Sequence, residues 1–117
     1  MVRYISSLPS PAWENAVPRT LSLLGCTGSI GVSTLKVIES HPDLFSVVAL
    51  AAGRNIRLLA AQANRWRPSW LGIQDETLRA PLMELLAPGY HPEILAGQKG
   101  YAVLASLPEI STVLSAQ

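Results

Sequence analysis

Residues 21–40 read LSLLGCTGSIGVSTLKVIES, and this stretch decides the fold. A short apolar run is followed by glycines at positions 25, 28 and 31, and then by a pattern typical of a helix. The run has the length and composition of a strand that is buried on both faces. A helix is predicted over 29–40, with Ile30, Leu35 and Ile38 facing inward. The stretch therefore predicts a strand, a glycine-rich turn and a helix in direct succession.

Strands and helices alternate in the same way along the rest of the chain. Strands are predicted near 21–25, 46–51, 70–73, 93–95 and 111–115. Alternation of this kind, with short connections, is typical of a mostly parallel sheet with right-handed crossovers. We therefore predict an α/β fold of the Rossmann-like, doubly wound class.

The remaining helices are predicted from their caps, their breakers and their apolar spacing. Asn55 is a candidate N-cap of the second helix, which must end before Pro68. A third helix within 75–89 contains Pro81, which should kink or delay it. A fourth, shorter helix is predicted over 98–106. The predicted inward faces carry Ile56, Leu59, Ala60, Ala63 and Trp66 in the second helix and Leu78, Leu82, Leu85 and Leu86 in the third.

The composition is that of one ordinary globular domain. The chain has 117 residues, 49% of them hydrophobic, and 9 Lys plus Arg residues nearly balance 8 Asp plus Glu residues. A net charge of +1 without basic clusters argues against a nucleic-acid surface, and no apolar run is long enough to span a membrane. The single cysteine excludes an intrachain disulfide framework. We predict a flexible extension over 1–19, which lacks the apolar region of a secretory signal, and one domain over 20–117.

The three glycines lie where a doubly wound fold receives a dinucleotide. Gly25 would let the chain turn, Gly28 would let the backbone approach a pyrophosphate, and Gly31 would let the helix pack closely on the sheet. The N–H groups and the dipole of the helix's first turn favour an anion at this point. A phosphate-binding P-loop is excluded, because Gly31 is followed by Val32, where that motif needs a lysine before its hydroxyl residue. The alternative is that the glycines serve only the turn and the packing.

The end of the second strand favours NADP over NAD. An NAD-binding domain usually has an acidic residue there, which accepts a hydrogen bond from the ribose 2′-hydroxyl. This sequence has Gly53, Arg54 and Asn55 instead. A guanidinium can pair with a 2′-phosphate, whereas a carboxylate would repel it. The alternative is that Arg54 is merely solvated and Asn55 only caps a helix.

The sequence predicts neither catalytic residues nor metal ligands in this chain. Cys26 has no histidine or second cysteine beside it, so a nucleophile or a ligand is not expected there. His41 and His91 each precede a proline in a connecting segment, where turn and surface roles are expected. The 8 acidic residues are scattered, and no pair of them has the spacing of metal ligands on a shared element.

The stretch LGCTGSIGVSTLKVIESHPDLFSVVALAAGRN, residues 24–55, closely resembles the N-terminal NADPH-binding region of the 1-deoxy-D-xylulose 5-phosphate reductoisomerase family. The loop of that family reads Gly-Ser-Thr-Gly-Ser-Ile-Gly, and this sequence differs from it only by Cys26 in place of serine. The segments ILAGQKG (94–100) and LASLPEI (104–110) resemble later parts of the same region. The resemblance runs from about residue 20 to the last residue.

The resemblance implies a cofactor site and a reaction. The residues expected at the phosphates and adjoining ribose of NADPH are Thr27, Gly28, Ser29 and Ile30, and those expected at the adenosine 2′-phosphate are Gly53, Arg54 and Asn55. The family rearranges 1-deoxy-D-xylulose 5-phosphate and reduces it with NADPH to 2-C-methyl-D-erythritol 4-phosphate, in non-mevalonate isoprenoid biosynthesis. A divalent cation, magnesium or manganese, polarises the substrate oxygens as a Lewis acid. A homodimer is expected for the full-length family.

The resemblance also implies what this chain does not supply. The acidic metal ligands, the substrate-phosphate site and the lid of the family are expected downstream, so the chain is expected to be partial and inactive alone. The alternative functions are the NADP-binding domain of another reductase, such as a semialdehyde dehydrogenase, and a non-catalytic nucleotide-binding module. The expected location is the bacterial cytoplasm, or the plastid stroma if the source is a plant or an alga.

Overall fold

The computed structural model describes residues 19–108 and 110–115, and within them strands and helices alternate as predicted. The strands are β1 (Arg19–Leu24), β2 (Phe45–Ala51), β3 (Trp70–Ile73), β4 (Glu93–Ala96) and β5 (Thr112–Ser115). The helices are α1 (Ser29–Glu39), α2 (Ile56–Trp66), α3 (Arg79–Leu85) and α4 (Gly97–Ala105), and a 3-10 turn, Glu76–Leu78, precedes α3. Of the predicted flexible extension, 1–19, only Arg19 is described, and it begins β1.

All five strands are parallel and form one sheet in the order β4-β3-β2-β1-β5. From β1 the chain adds one strand after another on the same side until β4, and it then crosses back to place β5 on the other side of β1. Leu21 of β1 accordingly lies opposite both Val47 of β2 and Thr112 of β5. The α/β prediction is confirmed. The reversal of direction creates a topological switch point beside β1, where open α/β sheets bind their ligands.

Two apolar clusters hold helices against the sheet. One joins strand residues to α1, α2 and α3, whose buried members include Leu35, Leu59 and Leu82. The other joins strand residues, among them Ala49 and Val113, to Leu104 of α4. A Cβ at Gly72 of β3 would lie 2.7 Å from the end of the Leu104 side chain and 2.9 Å from the Ala51 Cβ, so glycine leaves the space in which Leu104 packs on the sheet.

Two residues predicted on inward faces are exposed. Ile30 is 65% exposed, because the inward face of α1 consists of Gly31, Leu35 and Ile38, which are four and three residues apart. Ile30 precedes that face by one residue, which rotates its side chain by about 100° around the helix axis. Leu85 is 42% exposed, because α3 ends there and the extended backbone at the next residue, Leu86, turns Leu86 toward the core instead.

The predicted helix boundaries follow from local chemistry. Asn55 caps α2, since its side-chain oxygen accepts a hydrogen bond from the backbone N–H of Leu58 at 3.2 Å. Pro81 lies in the first turn of α3, where its missing N–H leaves no helical bond unmade, and the helix is delayed to Arg79 as expected. None of the helices in the described part of the chain has both the length and the apolar character needed to cross a bilayer.

Candidate functional site

The glycine-rich loop between β1 and α1 is anchored to the end of β2. The Ala51 carbonyl accepts hydrogen bonds from the N–H groups of both Gly25, at 2.7 Å, and Cys26, at 3.0 Å. Gly25 has a φ of 82°, a left-handed conformation that favours glycine. The chain therefore leaves β1 in a tight turn, which places the start of α1 at the carboxyl edge of the sheet.

The other two glycines of the loop differ in the space around them. A Cβ on Gly31 would lie 2.3 Å from the Gly25 carbonyl oxygen and 2.7 Å from the Cys26 Cα, so any side chain there would push helix and loop apart. A Cβ on Gly28 would meet only the Gly25 oxygen, at 3.6 Å, which is an ordinary contact. Gly31 is thus needed for packing, whereas Gly28 leaves an open surface at the beginning of α1.

Gly28 is the N-cap residue of α1 and has an extended backbone, with φ −73° and ψ 169°. The first-turn N–H groups of a helix have no intrahelical acceptor, and no side chain of the described residues caps this helix in its place. Ser29 and Ile30 form that first turn, and both are exposed. The helix end therefore offers hydrogen-bond donors and a partial positive charge to a ligand at the loop.

A cavity of about 470 Å³ lies against this loop. Tyr101 of α4 forms one wall, and its hydroxyl donates a hydrogen bond to the Ala52 carbonyl, just before Gly53. Burial raises the pKa of Tyr101, so the hydroxyl remains a neutral donor at neutral pH. The lining residues come from the ends of β1, β2 and β3 and the start of α4: Gly25, Thr27, Gly28, Gly53, Gln74, Gly97, Gln98 and Tyr101.

A second cavity, of about 460 Å³, continues the first along the same edge of the sheet, because both include Gln74 and Gly97. Its charged groups come from the ends of β2 and β3. The Arg54 guanidinium lies 3.5 Å from the Asp75 carboxylate, and 69% of the Arg54 side chain is exposed. Glu76 also lines this cavity. The two cavities thus form one cleft, which runs along several strand ends from the glycine loop to Arg54.

Cys26 packs inside the loop. Burial raises the pKa of its thiol to about 12, so the thiol stays protonated at neutral pH and is a poor nucleophile. The Cys26 carbonyl accepts a hydrogen bond from the Gln62 side chain of α2 at 2.8 Å. Loop residue and helix are therefore tied together beneath the site.

The structure gathers most, but not all, of the predicted site residues at one edge of the sheet. Thr27, Gly28 and Gly53 line the first cavity, and Arg54 lines the second. The side-chain oxygen of Asn55 is occupied by its capping bond. Sequence reasoning missed the residues that β3 and α4 contribute: Gln74, Asp75, Glu76, Gly97, Gln98 and Tyr101. All of these except Tyr101, which lies inside α4, could have been found by asking which residues follow each predicted strand, since the carboxyl ends of parallel strands share one edge.

Across residues 19–108 and 110–115, no three His, Cys, Asp or Glu side chains come together in a group able to hold a metal ion.

The family model described as 1-deoxy-D-xylulose 5-phosphate reductoisomerase matches residues 21–117. The chain belongs to this family. Membership decides against a semialdehyde dehydrogenase.

Individual relatives agree with the family assignment. The 1-deoxy-D-xylulose 5-phosphate reductoisomerase of Nitratidesulfovibrio vulgaris, strain Hildenborough, is 61% identical over 117 residues, which are 100% of this chain and 29% of that protein. The solved structure of the Zymomonas mobilis reductoisomerase in complex with NADPH is similar, with a TM-score of 0.73 and 40% identity, and the match covers 80% of this chain and 25% of that one. A reductoisomerase in complex with NADPH, fosmidomycin and magnesium matches 85% of this chain and 24% of its own, with a TM-score of 0.79 and 32% identity. The chain thus spans less than a third of the length of these relatives.

Proposed function

We propose that residues 20–117 form the NADPH-binding domain of a 1-deoxy-D-xylulose 5-phosphate reductoisomerase. The observation that carries the proposal is the open surface at Gly28, at the start of an uncapped helix and next to the switch point of the sheet. The similarity to the Zymomonas mobilis structure, which was solved with NADPH, supports it. Residues 1–19 are proposed to be a flexible extension outside this domain.

The glycine loop would hold the phosphates and the adjoining ribose through Thr27, Gly28, Ser29 and Ile30. Because Gly28 has no side chain, a phosphate oxygen can come within hydrogen-bond distance of the backbone N–H groups of the first helical turn. The exposed side chain of Ile30 would then cover an apolar part of the cofactor rather than the protein core. These residues fit the phosphates and the ribose of NADPH, because the loop offers both hydrogen-bond donors and space.

The end of β2 would receive the adenosine 2′-phosphate through Gly53, Arg54 and Asn55. A Cβ on Gly53 would be 3.7 Å from the Gln74 side chain, so glycine is not required for packing, and it leaves room beside the ribose. The exposed Arg54 guanidinium can form charge-assisted hydrogen bonds with a phosphate. Asn55 would contact the 2′-phosphate through its backbone, and its side chain would fix the start of α2 as the N-cap.

For the whole protein we propose the reaction of the family: rearrangement and reduction of 1-deoxy-D-xylulose 5-phosphate to 2-C-methyl-D-erythritol 4-phosphate. Bound NADPH would supply the hydride, and a bound magnesium or manganese ion would polarise substrate oxygens. The task of this chain is to bind and orient the cofactor. We further propose a homodimer, located in the bacterial cytoplasm. The similarity to the bacterial Nitratidesulfovibrio vulgaris protein supports only the bacterial source.

The test compares Gly28→Ala with wild type by titration with NADPH. The added methyl would stand where a phosphate must approach, and losing even one hydrogen bond to a charged group, about 1.5–3 kcal/mol, lowers affinity by about tenfold or more. Ser33→Ala, an exposed change on the same helix, is the matched control and should bind NADPH as wild type does. Unchanged NADPH affinity in Gly28→Ala, or no binding by wild type, would contradict the proposed function.

A further inference from the structure

Arg54 already has a partner before any phosphate arrives. Its guanidinium lies 3.5 Å from the carboxylate of Asp75. The two residues follow β2 and β3, which are neighbouring paired strands, so the contact is set by the sheet. Both line the second cavity, where the proposed function expects the adenosine 2′-phosphate.

Asp75 is held in place from its other side. One of its carboxylate oxygens accepts hydrogen bonds from the backbone N–H and the hydroxyl of Thr77, each at 2.9 Å, and this caps the turn Glu76–Leu78. The other oxygen faces Arg54. The bonds from Thr77 and, more weakly, the charge of Arg54 lower the pKa of Asp75, so the carboxylate is ionised at neutral pH. Asp75 is therefore a fixed negative charge beside the guanidinium.

The other acidic residue of this cavity is engaged elsewhere. Both carboxylate oxygens of Glu76 accept hydrogen bonds from Arg79, at 2.6 and 2.8 Å. Its charge is therefore largely balanced within its own ion pair. Asp75, by contrast, shares with the incoming phosphate the guanidinium that the phosphate needs.

We propose that Asp75 is a specificity-determining residue, which competes with the 2′-phosphate of NADPH for Arg54 and thereby lowers the selectivity for NADPH over NADH. The inference rests on the proposed function, since it concerns the same cofactor site. NAD-binding domains place a carboxylate at the end of β2, where it suits a 2′-hydroxyl and repels a 2′-phosphate. Here the carboxylate comes from the end of β3, one strand away, and reaches the same cation.

The expected size of the effect follows from the exposure of the pair. Ion pairs between exposed side chains contribute little in water, and the 2′-phosphate adds repulsion from Asp75. Neutralising Asp75 should therefore raise NADPH affinity by about three- to tenfold at low salt and leave NADH affinity unchanged or lower. The gain should shrink at about 0.5 M salt, because screening weakens interactions between exposed charges.

The experiment titrates NADPH and NADH into wild type and Asp75→Asn at low and high salt. Asparagine keeps the side-chain oxygen that accepts from Thr77, so the turn is preserved. Asp75→Ser, another good capping residue without charge, is the second variant in case asparagine disturbs folding. Asp43→Asn is the matched control: it removes one exposed carboxylate from the connection between α1 and β2, at the opposite edge of the sheet.

A higher NADPH-to-NADH affinity ratio in both Asp75 variants, absent in Asp43→Asn and reduced by salt, is the expected result. An unchanged ratio, or weaker NADPH binding, in variants that fold would show that Asp75 does not compete for Arg54. In that outcome wild type still binds NADPH, and the proposed function stands. If wild type binds neither cofactor, the proposed function fails and this inference fails with it.

Discussion

Single residues of the glycine loop have different roles although they are chemically identical. Gly25 is required by its backbone conformation, with φ at 82°. Gly31 is required because the loop backbone occupies the place of a side chain. Gly28 has neither constraint, since a Cβ there would have only one contact, at 3.6 Å. We propose that a bound ligand explains its lack of a side chain, and this makes Gly28 the most informative position for testing the cofactor site.

Arg54 is the residue that we expect to distinguish the two nicotinamide cofactors. Arg54→Asp should weaken NADPH binding by at least about tenfold, because charge-assisted hydrogen bonds to the 2′-phosphate are lost and a second carboxylate is added beside Asp75. NADH has no 2′-phosphate, so its affinity should change much less. Calorimetric titration of both cofactors measures the two effects.

Lys36→Asp is the matched control for Arg54→Asp. It makes the same charge change on an exposed residue in the last turn of α1, away from the glycine loop. It should leave the ratio of NADPH to NADH affinity as in wild type. Equal losses for both cofactors in Arg54→Asp would show that Arg54 has no special relation to the 2′-phosphate.

At the scale of elements, the loop between β1 and α1 is supported from two sides. The end of β2 holds it through the Ala51 carbonyl, which accepts from Gly25 and Cys26. Helix α2 holds it through Gln62, whose side-chain amide is buried and donates to the Cys26 carbonyl. The strand β2, the loop and the helices α1 and α2 therefore form one packed unit. This packing keeps the first turn of α1 at the cleft.

The contact between α1 and the loop predicts the effect of Gly31→Ala. Its methyl would lie 2.3 Å from the Gly25 carbonyl oxygen, which is backbone and cannot rotate away. We expect the free energy of unfolding to fall by about 1–3 kcal/mol, the usual range for overpacking, despite the better helix propensity of alanine. Denaturant unfolding followed by circular dichroism measures it.

Gly28→Ala and Ser33→Ala are the controls for that experiment, since neither position is closely packed. Both variants should unfold within about 0.5 kcal/mol of wild type, as expected for open surface positions. If Gly31→Ala is as stable as wild type, the conclusion that α1 packs too closely on the loop to admit a side chain at position 31 is wrong. Together the three variants separate the packing role of Gly31 from the proposed binding role of Gly28.

At the scale of the whole molecule, the cleft is a property of the sheet. The ends of β1, β2, β3 and β4 all contribute to it, and α4 closes one side through Tyr101. The parallel arrangement brings these ends to one edge although they are far apart in the chain. The domain is thereby suited to holding an elongated ligand, and we propose that its phosphates lie at the loop and its charged end at Arg54.

We predict that this chain alone has no reductoisomerase activity. The reaction requires a cation, a site for the substrate phosphate and a lid around the reacting carbons. The resemblance assigns all three to downstream parts of the full-length proteins of the family. Purified chain with 1-deoxy-D-xylulose 5-phosphate, NADPH and manganese should not consume NADPH, as followed by its absorbance. The Nitratidesulfovibrio vulgaris enzyme is the positive control. NADPH consumption above the background without enzyme would show that catalytic residues lie within this chain.

Much of the fold could be predicted from the sequence because it depends on neighbours in the chain. The run before Gly25 becomes β1, the pattern after it becomes α1, and Asn55 caps α2 as its position suggests. Proline delays α3 for an equally local reason. The inward face of α1 was harder to predict from the sequence, because Ile30 and Gly31 are adjacent. The residue that faces inward is Gly31, since the close backbone contact with the loop leaves no room for a side chain, and Ile30 is exposed.

By itself, the sequence determined the order of strands and helices, the glycine loop and the cationic residue after β2. Only the tertiary structure decided that β5 lies beside β1, that Tyr101 forms a wall of the cleft and that Asp75 faces Arg54. The physical reason is distance along the chain. Local elements follow from turns, caps and apolar spacing within a few residues, whereas these contacts arise only when crossover connections bring separate strand ends to the same edge of the sheet.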